Sequence, residues 1–368
     1  MTGTGIDTGV NRGCDVRGRG ATMSAMPPTT QVPRPRAPRW IRPVKLPATT
    51  PPPLDGPWSA DDTGLDDVEL LRLPRGEGPE DVVVDDAGRV ITGGADGTLW
   101  RWPADPVAAA TPELLAETGG RPLGIEVDPR DGSLIVCDAY RGLLRVTDDG
   151  TVSDLANQAG GSRILLCNNA SVARDGTVYF TDSSNRFPVS HWRRDLLEHR
   201  PNGRVLAYDP RGGHTEVVAT GFHFPNGVAL TPDESALMMV ETVTHQLVRI
   251  DLASGRSTVL VDLPAYPDNM SAVGDGTYWI ALASPRVPIA ERLLPHPFVR
   301  RIAAVLPEKL QPQPLKYSIA SLVDGEGRVL RTVHGPAGRY VMVTGVRQHG
   351  DTLWLGSLTE PGIGRVRL

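Results

Sequence analysis

The sequence predicts an all-β protein, a six-bladed β-propeller with four-stranded blades that follows a disordered N-terminal extension. The first observation is a repeated unit in which a short polar turn leads into an apolar run of strand character. The six turns lie at residues 86–88, 130–132, 174–176, 232–234, 274–276 and 349–351. The second observation is their spacing, because three of the five intervals between turns are 42 to 44 residues, which is the length of a four-stranded blade.

A second strand signal follows each of these hairpins. It begins after a Gly or polar turn, and its apolar runs lie at residues 97–102, 142–146, 203–208, 246–250, 327–330 and 364–368. A strand, a turn and another strand, repeated six times, do not fit a helical or α/β fold. Radial closure also removes the sheet edges that an open array would expose. We therefore assign residues 61–368 to the propeller.

The first 60 residues differ from the rest in composition. They are rich in Gly, Thr, Pro and Arg and lack periodic apolar positions, so we predict a disordered leader over residues 1–60. Translation from Met23 or Met26 is an alternative explanation of the same pattern. Up to Lys45 there are eight Arg or Lys residues and only two acidic ones, which leaves a weak contact with an anionic surface open.

Composition bounds the remaining function classes. The formal net charge of −5 disfavours a nucleic-acid partner, and no apolar stretch is long enough to cross a bilayer. The three cysteines form neither a disulfide framework nor a metal-binding pair, so we predict a reduced, cytoplasmic chain with Cys137 and Cys167 buried. Because propellers close on themselves, we expect a monomer.

Two long blades carry insertions. Residues 183–200 include His191 and Trp192 and could form a short helix over one face, and residues 289–310 alternate apolar with Arg and Pro residues. These segments either pack over the propeller or form a lid that shapes the substrate site. The second could also be a basic amphipathic segment that touches a membrane.

Oxygen-bearing side chains recur at one position of the repeat. Eight residues before the last residue of each turn stand Glu80, Gly124, Asn168, Asn226, Asp268 and Val343. Innermost strands of a propeller line its channel, so we expect four of these side chains to meet at one mouth. Carboxylate and amide oxygens without thiolate or imidazole favour a hard cation, Ca²⁺ first and then Mg²⁺ or Mn²⁺. A single Asn or Asp at this position would be interpreted as a residue that caps a turn.

Local sequences around these positions resemble a known family. The runs Gly78-Pro79-Glu80-Asp81, Asn168-Asn169-Ala170, Phe224-Pro225-Asn226-Gly227 and Pro267-Asp268-Asn269-Met270 resemble the SMP-30/gluconolactonase superfamily. The runs at 120–124, 137–143, 179–184, 201–204 and 241–242 are similar to its strictosidine-synthase-like branch. The resemblance covers about residues 70 to 368.

The resemblance implies a divalent cation, Ca²⁺ or Zn²⁺, held by Glu80, Asn226 and Asp268, with Asn168 at the same site. It implies that the cation polarises a lactone or ester carbonyl, with Asp268 and Asn168 as catalytic residues and Asp268 as the candidate general base. Because a metal-bound carboxylate is a poor base, orienting water is the other role considered for Asp268.

We further predict that three side chains near this mouth, Asn169, His191 and Trp192, contact a small-molecule substrate. His191 or His223 is a candidate proton shuttle, against the alternative of a surface or packed histidine. Glu241 is either a carboxylate behind the site or a structural acceptor. Asp138 and Asp182 are interpreted as hydrogen-bond acceptors that link blades.

Two departures from the family pattern restrict the chemistry. Gluconolactonases place an Arg two positions before the blade 3 Asn, where this chain has Leu166, so a sugar lactone is disfavoured relative to a more apolar ester or lactone. Strictosidine synthase carries a Glu before the first strand of the last blade, where this chain has Thr344, so its condensation reaction is not expected.

Three functions remain open at this level. The first is a metal-dependent hydrolase of a lactone or ester. The second is a synthase or isomerase that uses the same mouth without water attack, and the third is a non-catalytic ligand-binding propeller with a structural metal.

Overall fold

The computed structural model describes residues 1–2, 33–60, 64–335 and 340–368, apart from the side chain at position 66. Within these residues, six four-stranded antiparallel sheets are arranged as the blades of a propeller. Each innermost strand contacts the innermost strands of the two neighbouring blades, so the ring closes. The predicted six-bladed β-propeller is confirmed.

The strands follow one another in chain order from the inside of each blade to its outside. The first strand and those of blades 1 to 3 are β1 (Glu69–Arg72), β2 (Val82–Val84), β3 (Arg89–Gly93), β4 (Thr98–Ala104), β5 (Glu113–Glu117), β6 (Pro122–Val127), β7 (Leu134–Asp138), β8 (Gly142–Val146), β9 (Val152–Ala156), the short hairpin β10 (Gln158–Ala159) and β11 (Ser162–Arg163), β12 (Cys167–Val172), β13 (Val178–Asp182), β14 (Gly203–Asp209) and β15 (His214–Phe222).

The remaining strands form blades 4 to 6. They are β16 (Pro225–Leu230), β17 (Ala236–Glu241), β18 (Gln246–Asp251), β19 (Ser257–Asp262), β20 (Ala265–Ala272), β21 (Thr277–Pro285), β22 (Ser318–Asp324), β23 (Val329–Gly335), β24 (Val343–His349), β25 (Thr352–Ser357) and β26 (Gly362–Arg367).

The last blade joins the two ends of the propeller. Its outermost strand is β1, which pairs antiparallel with β26 so that Leu71 lies opposite Ile363. Both side chains are fully buried in one apolar cluster with Trp102. Closure by strand pairing leaves blade 6 without a missing strand, which stabilises the ring at the point where it would otherwise open.

Apolar residues of adjacent blades fill the space between the sheets. In β17 all six residues are buried, and the clusters on its two sides contain Met238 and Met239 respectively. Opposite faces of one strand therefore pack against different neighbouring blades, as the two-residue period of a strand requires. Cys137 and Cys167 are buried free thiols, as predicted, and burial raises the pKa of Cys167.

In the described residues, three short helices cover one end of the propeller. Helix α1 (Trp192–Glu198) lies in the blade 3 insertion, and α2 (Pro288–Leu293) and α3 (Pro297–Ala303) lie in the blade 5 insertion. Helices α1 and α3 contact each other. The part of the chain that the structure describes also contains four 3₁₀ turns, at 56–58, 65–67, 189–191 and 308–310. No helix in the described part of the chain is long and apolar enough to span a membrane.

The second half of the predicted leader packs against the rest of the protein. Residues 3–32 lie outside the described residues, whereas residues 33–60 run over the helices and contact them. Ile41 is buried beside Phe187 and Ala304, and Trp58 is buried against the blade 5 core. Composition predicts disorder because this segment has no periodic apolar pattern. Isolated apolar anchors and backbone hydrogen bonds, which leave no period in the sequence, hold it in place.

Candidate metal centre and substrate cavity

Local irregularities of the innermost strands create the site. The strand register shifts at residues 122–125, 167–170, 225–228, 267–270 and 343–345, so a bulge interrupts the same point of five blades. A bulge leaves a residue unpaired and redirects its side chain. Asn168, Asn226 and Asp268 lie at three of these bulges, and Glu80 lies two residues before β2. All four line one cavity, as the repeat spacing predicts.

Hydroxyl groups behind the two asparagines fix which end of each amide faces the site. Ser183 Oγ donates to the Pro225 carbonyl and accepts Asn168 Nδ2–H at 2.9 Å. Thr242 Oγ1 donates to the Pro267 carbonyl and accepts Asn226 Nδ2–H at 3.1 Å. Because each nitrogen is held from behind, the amide oxygens of Asn168 and Asn226 point inward, where both are buried without a hydrogen-bond partner.

Burial shifts the pKa values of the Glu80 and Asp268 carboxyl groups upward. Burial, followed by repulsion from Asp268, raises the pKa of Glu80 well above its usual value. Burial also raises the pKa of Asp268 to about 7, although Asn226 Nδ2 donates to Asp268 Oδ1 at 2.7 Å. A cation between these groups would favour their ionised forms.

The blade 5 motif contributes a second side chain next to the site, that of Asn269, whose position in the repeat does not predict this contact. Asn269 Nδ2 donates to Glu80 Oε2 at 3.0 Å, and Asn269 Oδ1 is buried without a partner. In the sequence it stood only as the neighbour of Asp268, and its contact with Glu80 spans 189 residues. The site thus combines two carboxylates with the unpartnered amide oxygens of Asn168 and Asn226, from blades 1, 3, 4 and 5, while Asn269 holds Glu80 from outside the cavity lining.

This donor set fits a hard divalent cation. Carboxylate and amide oxygens are the ligands that Ca²⁺ takes in proteins, and buried oxygens without donors lose free energy unless something binds them. No group of three or more His, Cys, Asp or Glu side chains that could hold a metal is found in the part of the chain that the structure describes. Amides therefore have to supply part of any coordination shell, which disfavours zinc.

Arg121 is a second residue that the sequence reasoning missed. It follows blade 1 on the way into β6, lines the cavity, and donates from Nη2 to the Gly78 carbonyl at 3.0 Å, while its Nη1 is buried without a partner. Its charge acts to lower the pKa of Glu80, but this effect is smaller than that of burial. It stood in the sequence only as part of a family motif.

Above this polar floor the cavity walls are mostly apolar, although His199, His245, Arg286 and Glu291 also line it. Its volume is about 630 Å³, and its walls include Leu123, Leu166, Trp192, Phe224 and Val243, which belong to one cluster. Helices α1 and α2 and residues 46–50 of the N-terminal segment form its upper part. Trp192 lines this space, and its contact with a substrate stays a prediction. Both insertions roof the site.

Two residues predicted to contact substrate lie elsewhere. Asn169 does not line the cavity; its Oδ1 accepts Val228 N–H at 3.0 Å and thereby ties blade 3 to blade 4. The bulge sends consecutive asparagines in different directions, which residue type alone does not reveal. His191 precedes α1, also outside the cavity lining, with its Nδ1 at 3.0 Å from Ser190 Oγ.

The remaining candidates have structural contacts. Glu241 accepts the backbone N–H of His223 and the hydroxyl of Thr244, at 2.5 and 2.8 Å, so it acts as a structural acceptor. Thr344 is buried and donates to the Glu80 carbonyl at 2.7 Å. Blade 6 therefore places no carboxylate at this position, and it fixes the backbone of a candidate ligand instead.

Helix α1 contains a buried acid with a pH-dependent effect on stability. Burial raises the pKa of Asp195 to about 7, although Ser184 and Asn202 donate to its Oδ2. Because the folded pKa exceeds the unfolded value near 4, the free energy of unfolding falls as pH rises from about 4 to 7. We expect Asp195→Asn to raise the free energy of unfolding at pH 8 by on the order of 1–3 kcal/mol, and the thermal midpoint with it. At pH 4 both quantities should stay nearly unchanged.

Thermal unfolding of both proteins at the two pH values measures this effect. An equal shift at pH 4 and pH 8 would assign the change to packing rather than to ionisation. Exposed Asp251 is the matched control, because Asp251→Asn should change the midpoint little at pH 8.

Comparisons with known proteins agree with this architecture. A family model described as strictosidine synthase matches residues 168–254, and one described as strictosidine synthase-like, N-terminal, matches residues 56–102. Protein STRICTOSIDINE SYNTHASE-LIKE 6 of Arabidopsis thaliana is 35% identical over 309 residues, which cover 83% of this chain and 82% of that protein.

Solved structures show the same fold. A gluconolactonase from Xanthomonas campestris superposes with a TM-score of 0.59 at 19% identity, covering 90% of this chain and 99% of that chain. A luciferin-regenerating enzyme superposes with a TM-score of 0.56 at 14% identity, covering 82% and 95%. At these identities the likeness establishes the propeller, whereas the reaction has to be argued from the site.

Proposed function

The chain belongs to the strictosidine synthase-like family, and from this premise we propose that it is a divalent-cation-dependent hydrolase of an apolar ester or lactone. One observation carries the proposal. Amide oxygens of Asn168 and Asn226 lie buried and unpartnered beside the carboxylates of Glu80 and Asp268, at the floor of a mostly apolar cavity.

Each residue has a distinct role in this proposal. Glu80, Asn168, Asn226 and Asp268 hold the cation, for which Ca²⁺ is the first candidate and Mg²⁺, Mn²⁺ and Zn²⁺ follow. When bound, the cation supplies Lewis-acid polarisation of the substrate carbonyl and stabilises the developing oxyanion. Ser183 and Thr242 orient the amides, and Asn269 orients Glu80.

Asp268 is the group that can handle the proton of the attacking water. Asn226 occupies its Oδ1, so Oδ2 is the atom available to orient water or accept its proton. Asn168 lies two blades away from Asp268 and positions water or substrate through its amide oxygen. Both roles place chemistry at the floor and leave the walls to bind the substrate body.

The walls favour an apolar substrate. Leu166 is buried among Leu123 and Phe224, so the position of the gluconolactonase arginine contributes an apolar surface here. Burying apolar groups contributes about 25 cal/mol per Å² of surface removed from water. A hydrophobic ester or lactone gains this contribution in the cavity, whereas a polyhydroxylated sugar lactone loses hydrogen bonds to water.

The experiment that tests the function is metal removal and restoration. The purified chain is stripped with EDTA and assayed on aryl esters and on γ- and δ-lactones, before and after addition of Ca²⁺, Mg²⁺, Mn²⁺ or Zn²⁺. We expect activity to fall to background and to return with Ca²⁺ at the largest amplitude. Metal binding by calorimetry without turnover on any substrate would favour a ligand-binding or non-hydrolytic role. Turnover that EDTA does not change would overturn the metal-dependent mechanism.

A further inference from the structure

Helix α3 has its polar and apolar sides reversed relative to a helix on a water-exposed surface. Phe298 and Ile302 are 71% and 45% exposed, whereas Arg300 is 1% exposed. A surface helix normally buries its apolar stripe and leaves its charges in water. The apolar side of α3 is therefore not explained by packing against the propeller.

Contacts of Arg300 explain how the reversed helix is held. Its guanidinium donates to the carbonyls of Val44, Leu197 and Leu294, which belong to the N-terminal segment, α1 and the end of α2. The arginine thus joins three elements from beneath the helix. Its burial is structural, and it fixes the opposite side of α3 outward.

Further exposed apolar side chains occur in the same insertion and in the N-terminal segment, and together with the outward side of α3 they are here called the apolar face. It consists of the exposed large hydrophobic residues of the blade 5 insertion together with the exposed tryptophan of the N-terminal segment, namely Trp40, Ile289, Phe298, Val299, Ile302, Val305, Leu306, Leu310 and Leu315. Among the described residues, 15 large hydrophobics are exposed, and eight of them lie between positions 289 and 315. Scattered apolar residues are usual on protein surfaces, but a concentration of this kind marks an interaction site.

Trp40 is held beside this surface by its neighbours. Ile41 is buried against Ala304, directly after α3, and Arg186 donates to the Trp40 carbonyl. The Trp40 side chain itself remains 57% exposed. A tryptophan at the edge of an apolar surface has the amphipathic character that suits a membrane–water interface.

Charge around the apolar face is opposite in sign to that of the whole chain. The exposed basic residues of segments 33–45 and 288–316 are Arg34, Arg36, Arg39, Arg42, Lys45, Arg292, Arg301, Lys309 and Lys316. The only acidic residue exposed in these two segments is Glu308. Nine positive charges against one negative give a local excess of eight, on a chain whose formal net charge is −5. This complementarity selects an anionic partner over a neutral one.

The elements that carry the apolar face also roof the cavity. Ala290 and Leu293 of α2, Leu46 of the N-terminal segment and Pro314 after α3 line the cavity from above. An apolar body docked on the outside is therefore separated from the apolar cavity by only one layer of chain. Loss of α2 and residues 46–50 from this layer would join the two.

We propose that the apolar face docks on an anionic lipid surface, with the cavity roof turned toward the lipid. Apolar side chains of α3 and the residues after it enter the acyl–headgroup boundary, while the surrounding Arg and Lys contact lipid phosphates. Apolar molecules dissolved in the lipid then reach the cavity without crossing water. Lipid binding stands independently of the reaction proposed above.

Vesicle sedimentation tests the proposal on the full chain. We expect the protein to sediment with vesicles of equal parts phosphatidylcholine and phosphatidylglycerol, more weakly with phosphatidylcholine alone, and less as salt is raised. The double variant Phe298→Asp, Ile302→Asp should reduce the partition coefficient between vesicles and water by about tenfold or more. It replaces two apolar side chains that would contact lipid with negative charges. Arg301→Glu should weaken binding to the anionic vesicles only.

A matched control separates this face from general surface hydrophobicity. Val259 on β19 is 53% exposed, close to the 50% of Val305 in the apolar face, and it lies on the outer strand of blade 4. We expect Val259→Asp to bind vesicles like the unaltered chain, and Val305→Asp to bind more weakly. Circular dichroism and the thermal midpoint verify that each variant is folded.

Two results would overturn the proposal. One is absence of sedimentation with both kinds of vesicle. The other is equal loss of binding in the Val259 and Val305 variants. A dimer by light scattering that the Phe298 variant dissociates, without any vesicle binding, would identify the face as an interface between copies of this chain instead.

Discussion

Replacement of Asp268 by Asn should lower kcat/KM for ester or lactone hydrolysis by at least about a hundredfold. The substitution keeps the shape of the side chain and removes both the negative charge and the proton acceptor at Oδ2. Because Asn226 Nδ2 donates to Oδ1, the variant retains an oxygen that can accept this bond. The fold should therefore survive while the site loses cation affinity and its candidate base.

The measurement is a steady-state assay at saturating Ca²⁺, together with metal binding by calorimetry. Asp275, in the turn between β20 and β21, provides the control. Its carboxylate caps this turn by accepting Thr277 N–H at 2.9 Å. We expect Asp275→Asn to retain activity. If Asp268→Asn kept full turnover, the metal-site mechanism would be wrong. If it unfolded the protein, the cation would have a structural role instead.

Removal of the Arg204 guanidinium in Arg204→Met should lower the free energy of unfolding by about 3–5 kcal/mol, the largest loss of stability that we expect among these variants. Arg204 Nε and Nη2 each lie 2.9 Å from Asp182 Oδ2, and both side chains are almost fully buried. The same guanidinium donates to Ala159 and Arg163 carbonyls in the β10–β11 hairpin. Burial already raises the pKa of Asp182 to about 6 despite the arginine. Without it, the acid is buried with no compensating charge.

Urea midpoints at pH 8 measure this loss, and a second substitution tests its cause. In the Arg204→Met background, Asp182→Asn removes the uncompensated charge, so part of the lost stability should return. Arg328 forms an exposed pair with Asp324, and Arg328→Met should change stability by no more than about 1 kcal/mol. Equal losses in Arg204→Met and Arg328→Met would contradict the assignment.

Two buried acids that the sequence identifies as hydrogen-bond acceptors occupy the same position of the repeat. Asp138 and Asp182 both end the second strand of a blade, and their carboxylates accept backbone N–H groups that no strand pairing satisfies. Asp138 additionally accepts the Thr118 hydroxyl at 2.7 Å, from the loop that leaves blade 1. Buried carboxylates persist where several donors converge. A polar residue at a fixed strand end was therefore sufficient for this prediction.

The sequence by itself determined the blades and the register of the candidate ligands. Turn residues and apolar alternation are local signals, and a fixed offset from each turn selects the same point on each innermost strand. For this reason the sequence predicts that Glu80, Asn168, Asn226 and Asp268 meet at one mouth, and the structure brings them to one cavity.

Tertiary structure decided which neighbouring residues join that site and which leave it. Asn169 and Asn269 occupy the same relative position, yet one ties two blades and the other holds Glu80, because each bulge aims its residues differently. The outward turn of α3 likewise depends on Arg300 reaching carbonyls up to 256 residues away. Contacts between distant parts of the chain leave no periodic signal in the sequence, so only the closed ring and its covering segments specify them.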